Sequence, residues 1–278
     1  MWILLSLLSA VGFAAQWLLV RASRGTPGSV VTAAQFVSGP FLLLIFLRGV
    51  SLPWDQNIWY VFLLFNCLIV PAASWAMIVA MQRVPVTVSN PLLGLSSVAS
   101  LITVAIFFHG TFSAAGVAGI LLTTAGLFCL YQGRWHLWRT RYPWVVLVVV
   151  MLFGINGSIS HALLEVFPQP QVISGIFLTA SFFVPLISAA RSGRSMRWTG
   201  SIVLLLVTLA IVTLIQEIAT TVAMLSAPAP YVLSIKRTSV LLSVLGGYVL
   251  FHERDETLQR LLLSTVIVLA GVVMMTVG

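Results

Sequence analysis

Charge is what this sequence has least of: only 7% of its 278 residues are Asp, Glu, Lys or Arg, and six are acidic. A water-soluble domain of that length cannot clothe its surface with so few ionised groups, which excludes soluble enzymes and soluble binding modules. Cysteine is scarce too. Cys67 and Cys129 fall inside apolar stretches and read as buried, unpaired packing thiols, so neither a disulfide framework nor a thiolate metal site is expected. His161 has no carboxylate-rich company of the kind that holds a metal ion. Phosphate-cradling glycine loops, dinucleotide fingerprints and metalloprotease helices are missing as well. No metal, no cofactor and no ATP hydrolysis are therefore expected, and a transport function would run on a gradient or by exchange.

What the chain has instead is apolar residue, 60% of the total. The runs are long enough for the roughly 20 residues that a helix needs to cross a bilayer, and helices are the default there because backbone groups in lipid must be satisfied within the segment. The pattern predicts ten spans, at 2–20, 30–47, 58–80, 87–108, 114–131, 145–165, 171–190, 201–225, 229–251 and 258–277. Their breaks carry turn chemistry or charge, as in "RASRGTPGS", "RGVSLPWDQN" and "SAPAP", and none is long enough to fold as a soluble domain. The first run lacks a basic leader and a small-residue cleavage site and reads as a retained helix. Trp54, Trp59, Trp135, Trp138 and Trp144, near the connections, read as interfacial anchors.

The net charge of +8 would suit nucleic acid, but its placement argues otherwise. Arg21, Arg24, Arg83, Arg134, Arg139, Arg141, Arg191, Arg194, Arg197, Arg254 and Arg260 fall on one face of the ten-span arrangement, and Arg48 alone falls on the other. Such asymmetry marks the cytoplasmic side and anionic headgroups, so both termini are expected outside the cytoplasm and nucleic acid is not a partner.

The chain also repeats itself. Ala80, Met81 and Pro85 recur as Ala223, Met224 and Pro228 at an offset of 143, which also carries Phe108-His109 onto Phe251-His252. An offset one smaller pairs Gly12 with Gly154. An odd number of helices per half makes the second half enter the membrane from the opposite side. The expected fold is thus an all-α polytopic membrane protein of ten transmembrane helices in two inverted five-helix repeats, 1–131 and 145–278, joined by a basic loop at 132–144.

"YVLSIKRTSV" places Lys236 and Arg237 about two turns into the ninth span. At the centre of a bilayer each costs about 2.5–3.5 kcal/mol even on insertion scales, so the pair must face protein or water. Neighbouring helical positions lie about 100° apart, and both can edge one cavity. An arginine fork beside a lysine point charge suits an oxyanion, with Thr238 and Ser239 as further donors. Glu217 in "LIQEIATTV" is the expected ion-pair partner: counted from Pro228 it lies about 16 Å deep and Lys236 about 12 Å. One carboxylate leaves one positive charge over, which favours an anion site over a purely structural cluster. Glu217 itself reads as a counter-ion, a proton-coupling carboxylate or the partner of a substrate amine.

"GINGSISHALLE" sets Asn156 with Ser160, and Gly157 with His161, at i,i+4 spacing. It reads equally as a cavity-facing polar stripe and as close interhelical packing. Gln16, Gln35, Asn66, Asn90 and Gln216 read as hydrogen-bonded packing residues, with Gln16 also carried as a candidate substrate contact. Gly116, Gly119 and Gly126 read as sites of close helix contact.

Ten helices in two halves, with "VPVTVSNPLLGLSSVASLITVAIFFHGTFSAAGVAGILLTTAGLF" and "APAPYVLSIKRTSVLLSVLGGYVLFHERDETLQRLLLSTVIVLAGVVM", resemble the drug/metabolite transporter superfamily of the EamA type over the whole chain. Glu253 matches the acidic residue that often closes the ninth helix in such proteins, whereas His109-Gly110 has no acidic counterpart. The pair in "IKRTSV" is similar to the one that grips phosphate in plastid triose-phosphate translocators and recurs in nucleotide-sugar transporters. The resemblance implies a secondary transporter of the cell inner (plasma) membrane that moves a small phosphate- or carboxylate-bearing organic anion by alternating access. A flippase or carrier for a lipid-linked polyprenyl-phosphate or glycolipid substrate is the alternative. An intramembrane enzyme, the rival class, would rest on Glu217 with His161. The expected partners are the anionic solute and the lipid bilayer, and a homodimer is left open.

Overall fold

The computed structural model describes residues 1–23, 25–81, 83, 92–130, 141–191, 199–251 and 258–277. Among these residues every regular element is a helix: α1 (Trp2–Ala22), α2 (Gly28–Phe36), α3 (Ser38–Phe46), α4 (Asn57–Leu64), a π-helical turn (Phe65–Ile69), α5 (Val70–Met81), α6 (Leu95–Phe107), α7 (Ala114–Phe128), α8 (Arg141–Val166), α9 (Pro170–Arg191), α10 (Gly200–Ala223), α11 (Ala229–Lys236), α12 (Ser239–Phe251) and α13 (Leu258–Val277). Eight helical spans are long and apolar enough to cross a membrane, with α2–α3, α4–α5 and α11–α12 each counted as one, and α6 and α7 are shorter apolar helices. That is the make-up of a polytopic membrane protein.

The surface is largely apolar, and many polar side chains are buried with the apolar core. Leu44, Phe107, Leu204 and Val266 are exposed, whereas Ser6, Thr32, Asn66, Gln216, Lys236 and Arg237 are buried. Apolar side chains are at home against lipid tails, and polar ones are driven inward to find one another. The span Ala229–Leu250 is both the least apolar and the most buried of the eight, so the charged helix is the central one.

Local chemistry sets the element ends. Pro228 and Pro230 open α11, where a missing N–H leaves nothing unsatisfied. The Ser113 hydroxyl caps α7 by accepting the Gly116 N–H at 3.0 Å. The turn at Gly49 has φ +78°, a left-handed conformation that glycine adopts without strain.

The helices pair across the chain: α10 runs along α1, α13 along α7, α8 against α6 and the α4–α5 span, and α9 against α2, α3 and α5. Glycine makes the α7–α13 contact close, because a Cβ on Gly119 would lie 2.6 Å from the Gly271 carbonyl oxygen. Ser264 Oγ donates to the Gly126 carbonyl at 2.6 Å in the same seam. Gly116 gives way to the Tyr231 phenol.

Besides the turn at Val37 between α2 and α3, interruptions among the described residues break the regular winding at three further places. The π-helical turn precedes Pro71, which cannot donate to the ladder and whose ring crowds the carbonyl four residues back, so the turn widens. At Gly94 the ladder breaks, with the Ser97 N–H bonding the Gly94 carbonyl at 3.2 Å. A turn at Arg237 and Thr238 separates α11 from α12, and there the Val240 N–H bonds the Arg237 carbonyl at 3.0 Å.

Some expectations need correction. Residues 141–144, assigned to the connecting loop, begin α8; Pro143 falls in the first turn, where its absent N–H is tolerated. Trp59 is core rather than anchor: it is 1% exposed, stacked on Phe62 and edge-on to Phe167. Trp54 and Trp144 are exposed. Cys67 is free but exposed, and Cys129 is free and half-buried; an outward thiol is tolerated because a lipid-facing surface is as apolar as the core. Arg24, Pro85, Asn90, Arg134, Trp135, Trp138, Arg139, Arg194, Arg197, His252, Glu253 and Arg254 lie outside the described residues.

Candidate functional site

A partly enclosed cavity of about 110 Å³ lies among the central helices. Its wall takes Phe13, Gln16 and Trp17 from α1, Gln35 and Phe36 from α2, and Ser74, Met77 and Ile78 from α5. Phe153, Asn156, Gly157 and Ser160 come from α8, and Ile173, Ser174 and Phe177 from α9. Glu217, Thr220, Thr221 and Met224 at the end of α10 meet Leu233, Lys236 and Arg237 at the end of α11. Both halves of the sequence contribute.

The cations occupy the place where α11 stops. A helix C-terminus carries a partial negative charge from its unpaired carbonyls, which favours cations there. Lys236 Nζ donates to Thr220 Oγ1 at 3.0 Å and to Glu217 Oε1 at 3.4 Å. Gln216 Nε2 donates to the same carboxylate oxygen at 2.6 Å. Arg237 Nε donates to Ser96 Oγ at 2.8 Å, and that hydroxyl donates onward to the Leu93 carbonyl at 2.8 Å. Arg237 Nη1 is buried and has no hydrogen-bond partner among the described residues.

One aromatic ring serves both cations. Lys236 Nζ lies 5.2 Å and Arg237 Cζ 5.0 Å from the centroid of Phe13, within reach of its quadrupole. Trp17 holds that ring edge-on at 5.5 Å. The depth count that pairs Glu217 with Lys236 agrees with this geometry. Two cations against one carboxylate leave the wall with one net positive charge.

The remaining candidates divide. Gln16, Asn156 and Ser160 line the cavity together with the charged cluster. Asn156 Oδ1 accepts from Asn66 Nδ2 at 3.0 Å, and the same amide donates to the Phe62 carbonyl at 3.0 Å. Asn66 lies in the π-helical turn, so that irregularity supports a wall residue. Thr238 and Ser239 are not in the wall, and Ser239 Oγ is buried without a hydrogen-bond partner among the described residues: past the turn, the chain carries them away from the cavity. His161 is also outside it, with Nδ1 3.9 Å from Glu165 Oε1. The α8 stripe therefore faces the cavity through Asn156, Gly157 and Ser160, and has turned aside by His161.

Sequence reasoning missed Trp17, Ser74 and the wall aromatics, and it read Gln35 as packing. A glutamine within an apolar run was the available signal for Gln35. Nothing in the sequence separates a cavity phenylalanine from a lipid-facing one. Among the described residues no group of three or more His, Cys, Asp or Glu side chains is placed to hold a metal ion. The wall can instead hold an anion by charge-assisted hydrogen bonds and rest a carbon skeleton on aromatic faces.

No family model matches the chain, and no curated protein matches it. A protein of known crystal structure matches at 18% identity over 99% of this chain and 97% of that one, with a TM-score of 0.78. The likeness shows a shared fold.

Proposed function

We propose that the protein is a secondary transporter of the EamA type in the drug/metabolite transporter superfamily, with ten transmembrane helices in two inverted repeats. It moves a small organic anion by alternating access. The observation that carries this reading is the buried Arg237 guanidinium, held by Ser96 through Nε with Nη1 unpartnered in the wall of a cavity that bears net positive charge. An intramembrane cation is a costly feature that marks a ligand path by default. Glu217 pairs with Lys236, which leaves Arg237 as the anion anchor and Glu217 as the candidate coupling group.

Helix packing supports the repeat. Exchange of each span for the one five places along turns the α1–α10 contact into that of α8 with α4–α5, and the α6–α8 contact into that of α11–α12 with α1. It likewise turns α5–α9 into α2–α10 and maps α7–α13 onto itself. Gly12 and Gly154 do not share in this exchange: Gly12 abuts Gln216 of α10, and Gly154 abuts Ala99 of α6. The enzyme alternative drew on Glu217 with His161, and only Glu217 lines the cavity.

The test is anion binding in nanodiscs beside a stability assay on the same samples. Arg237→Gln should leave folded protein with affinity lowered about 10- to 100-fold, the worth of a charge-assisted hydrogen bond. Arg237→Lys should also lose affinity, because it keeps the charge and discards the planar fork. Normal binding and transport by both variants would make the pair structural and end this reading. The arginine asymmetry adds a topology test: a reporter active only in the cytoplasm, fused after Gly278, should be silent.

A further inference from the structure

The polar atoms of the wall narrow the class of anion, an inference that rests on the transport reading. Five wall side chains, each more than nine-tenths buried, carry a polar atom with no hydrogen-bond partner among the described residues. Trp17 Nε1 and Arg237 Nη1 are donors, Gln16 Oε1 and Gln35 Oε1 are acceptors, and Ser74 Oγ can act either way. Buried groups of this kind are paired in nearly all proteins, and a ligand that supplies their partners is one way to pair them.

The arrangement is not random. Both donors flank Phe13, Trp17 by its edge-on ring contact and Arg237 by its guanidinium over the ring face. Gln35 and Ser74 stand on α2 and α5, which pack against each other. Phe36 beside Gln35 meets Phe177 edge-on at 5.8 Å and forms an apolar floor. A simple aliphatic acid would satisfy the donors and strand the two carbonyls.

We propose that the cavity takes a small hydroxylated organic monoanion. Its acid group meets Arg237 and Trp17, its hydroxyls donate to Gln16 and Gln35 and engage Ser74, and its carbons rest on Phe36 and Phe177. The single net positive charge of the wall matches one negative charge on the ligand.

The experiment is isothermal titration of the full chain in nanodiscs with four probes that are monoanions at neutral pH: glycerate, propionate, glyceryl methyl phosphate and propyl methyl phosphate. Each pair shares an acid group and a three-carbon skeleton and differs in hydroxyls, and the pair that binds identifies the acid. In that pair the hydroxylated member should bind at least about tenfold tighter, because its absence leaves buried carbonyls unpaired. Gln35→Met should narrow that gap by about threefold or more, with Gln16 and Ser74 keeping the remainder. Equal binding of hydroxylated and bare members, with Arg237→Gln weakening both, would overturn this inference and leave the anion reading standing. A gap that Gln35→Met leaves intact would overturn the assignment of the hydroxyl contact. Failure of all four probes to bind the unaltered protein would overturn both readings.

Discussion

The helix interruptions at Gly94 and Arg237 stand 143 residues apart, and they share a backbone signature. In each, the N–H three residues on bonds the carbonyl of the interrupting residue, at 3.2 Å in the first and 3.0 Å in the second. A serine follows two residues later in both, Ser96 and Ser239. The side chains then part company. Leu93 and Gly94 mark the first break, Lys236 and Arg237 the second. Ser96 accepts from Arg237, whereas Ser239 Oγ has no hydrogen-bond partner among the described residues. Broken helices at membrane depth are tolerated where protein or a cavity covers them, and here the two breaks cover each other through α6 and α11. One break supplies charge and the other supplies the acceptor that positions it. A shared backbone device has been put to unequal chemical use, and the charged groups of the cavity wall, Glu217, Lys236 and Arg237, all stand in the second half of the sequence.

The largest expected effect concerns the charged break itself. Lys236→Gln leaves Glu217 without its cation and should cost about 3 kcal/mol of stability, the lower end for a broken buried pair because Glu217 keeps 19% side-chain exposure. Lys236→Gln combined with Glu217→Gln should recover most of that loss in a thermal denaturation series. A double variant no more stable than the single one would show that the ion pair does not hold the charged break together.

Glu217→Gln alone should keep or tighten anion binding, since a negative charge leaves the wall at nearly constant shape, while turnover in proteoliposomes falls. Unchanged turnover with unchanged pH dependence would remove Glu217 from coupling and leave it a counter-ion. The two serines give the finest comparison. Ser96→Ala removes the acceptor of a charged donor and should cost about 1.5 kcal/mol. Ser239→Ala removes a hydroxyl that has no partner among the described residues and should change stability by about 0.5 kcal/mol or less. Equal costs would mean that the breaks are energetically alike and that the Arg237–Ser96 bond contributes little.

The outline of the fold was legible because length and apolarity are what a bilayer demands of a helix. Eight of the predicted spans correspond, among the described residues, to helices long and apolar enough to cross a membrane, and 87–108 and 114–131 hold shorter apolar helices. Glu217 and Lys236 could be paired because both were counted from one turn at Pro228. The partner of Arg237 could not be found that way, since Ser96 is 141 residues distant and only tertiary packing brings it near. Trp59 and Cys67 were misjudged for a related reason. In water, an apolar stripe distinguishes the inside of a helix from its outside; in lipid both faces are apolar, and the orientation of Phe13, Phe36 or Trp59 leaves no trace in periodicity. Polar residues therefore carried almost all the readable information about the interior.

The wide turn at Phe65–Ile69 is equivalent to one extra residue wound into an α-helix. Trp59 and Phe62 upstream are locked in the core, and Ser74, Met77 and Ile78 downstream face the cavity. Winding all five residues 65–69 as regular α-helix, with none removed, would rotate one group relative to the other by roughly 90°. Composition and hydrophobicity would not change, yet the wall or the core would have to surrender its orientation. The helix thus contains a phase adjustment, and the winding at that point is as much a determinant of what the cavity presents as the identity of the side chains.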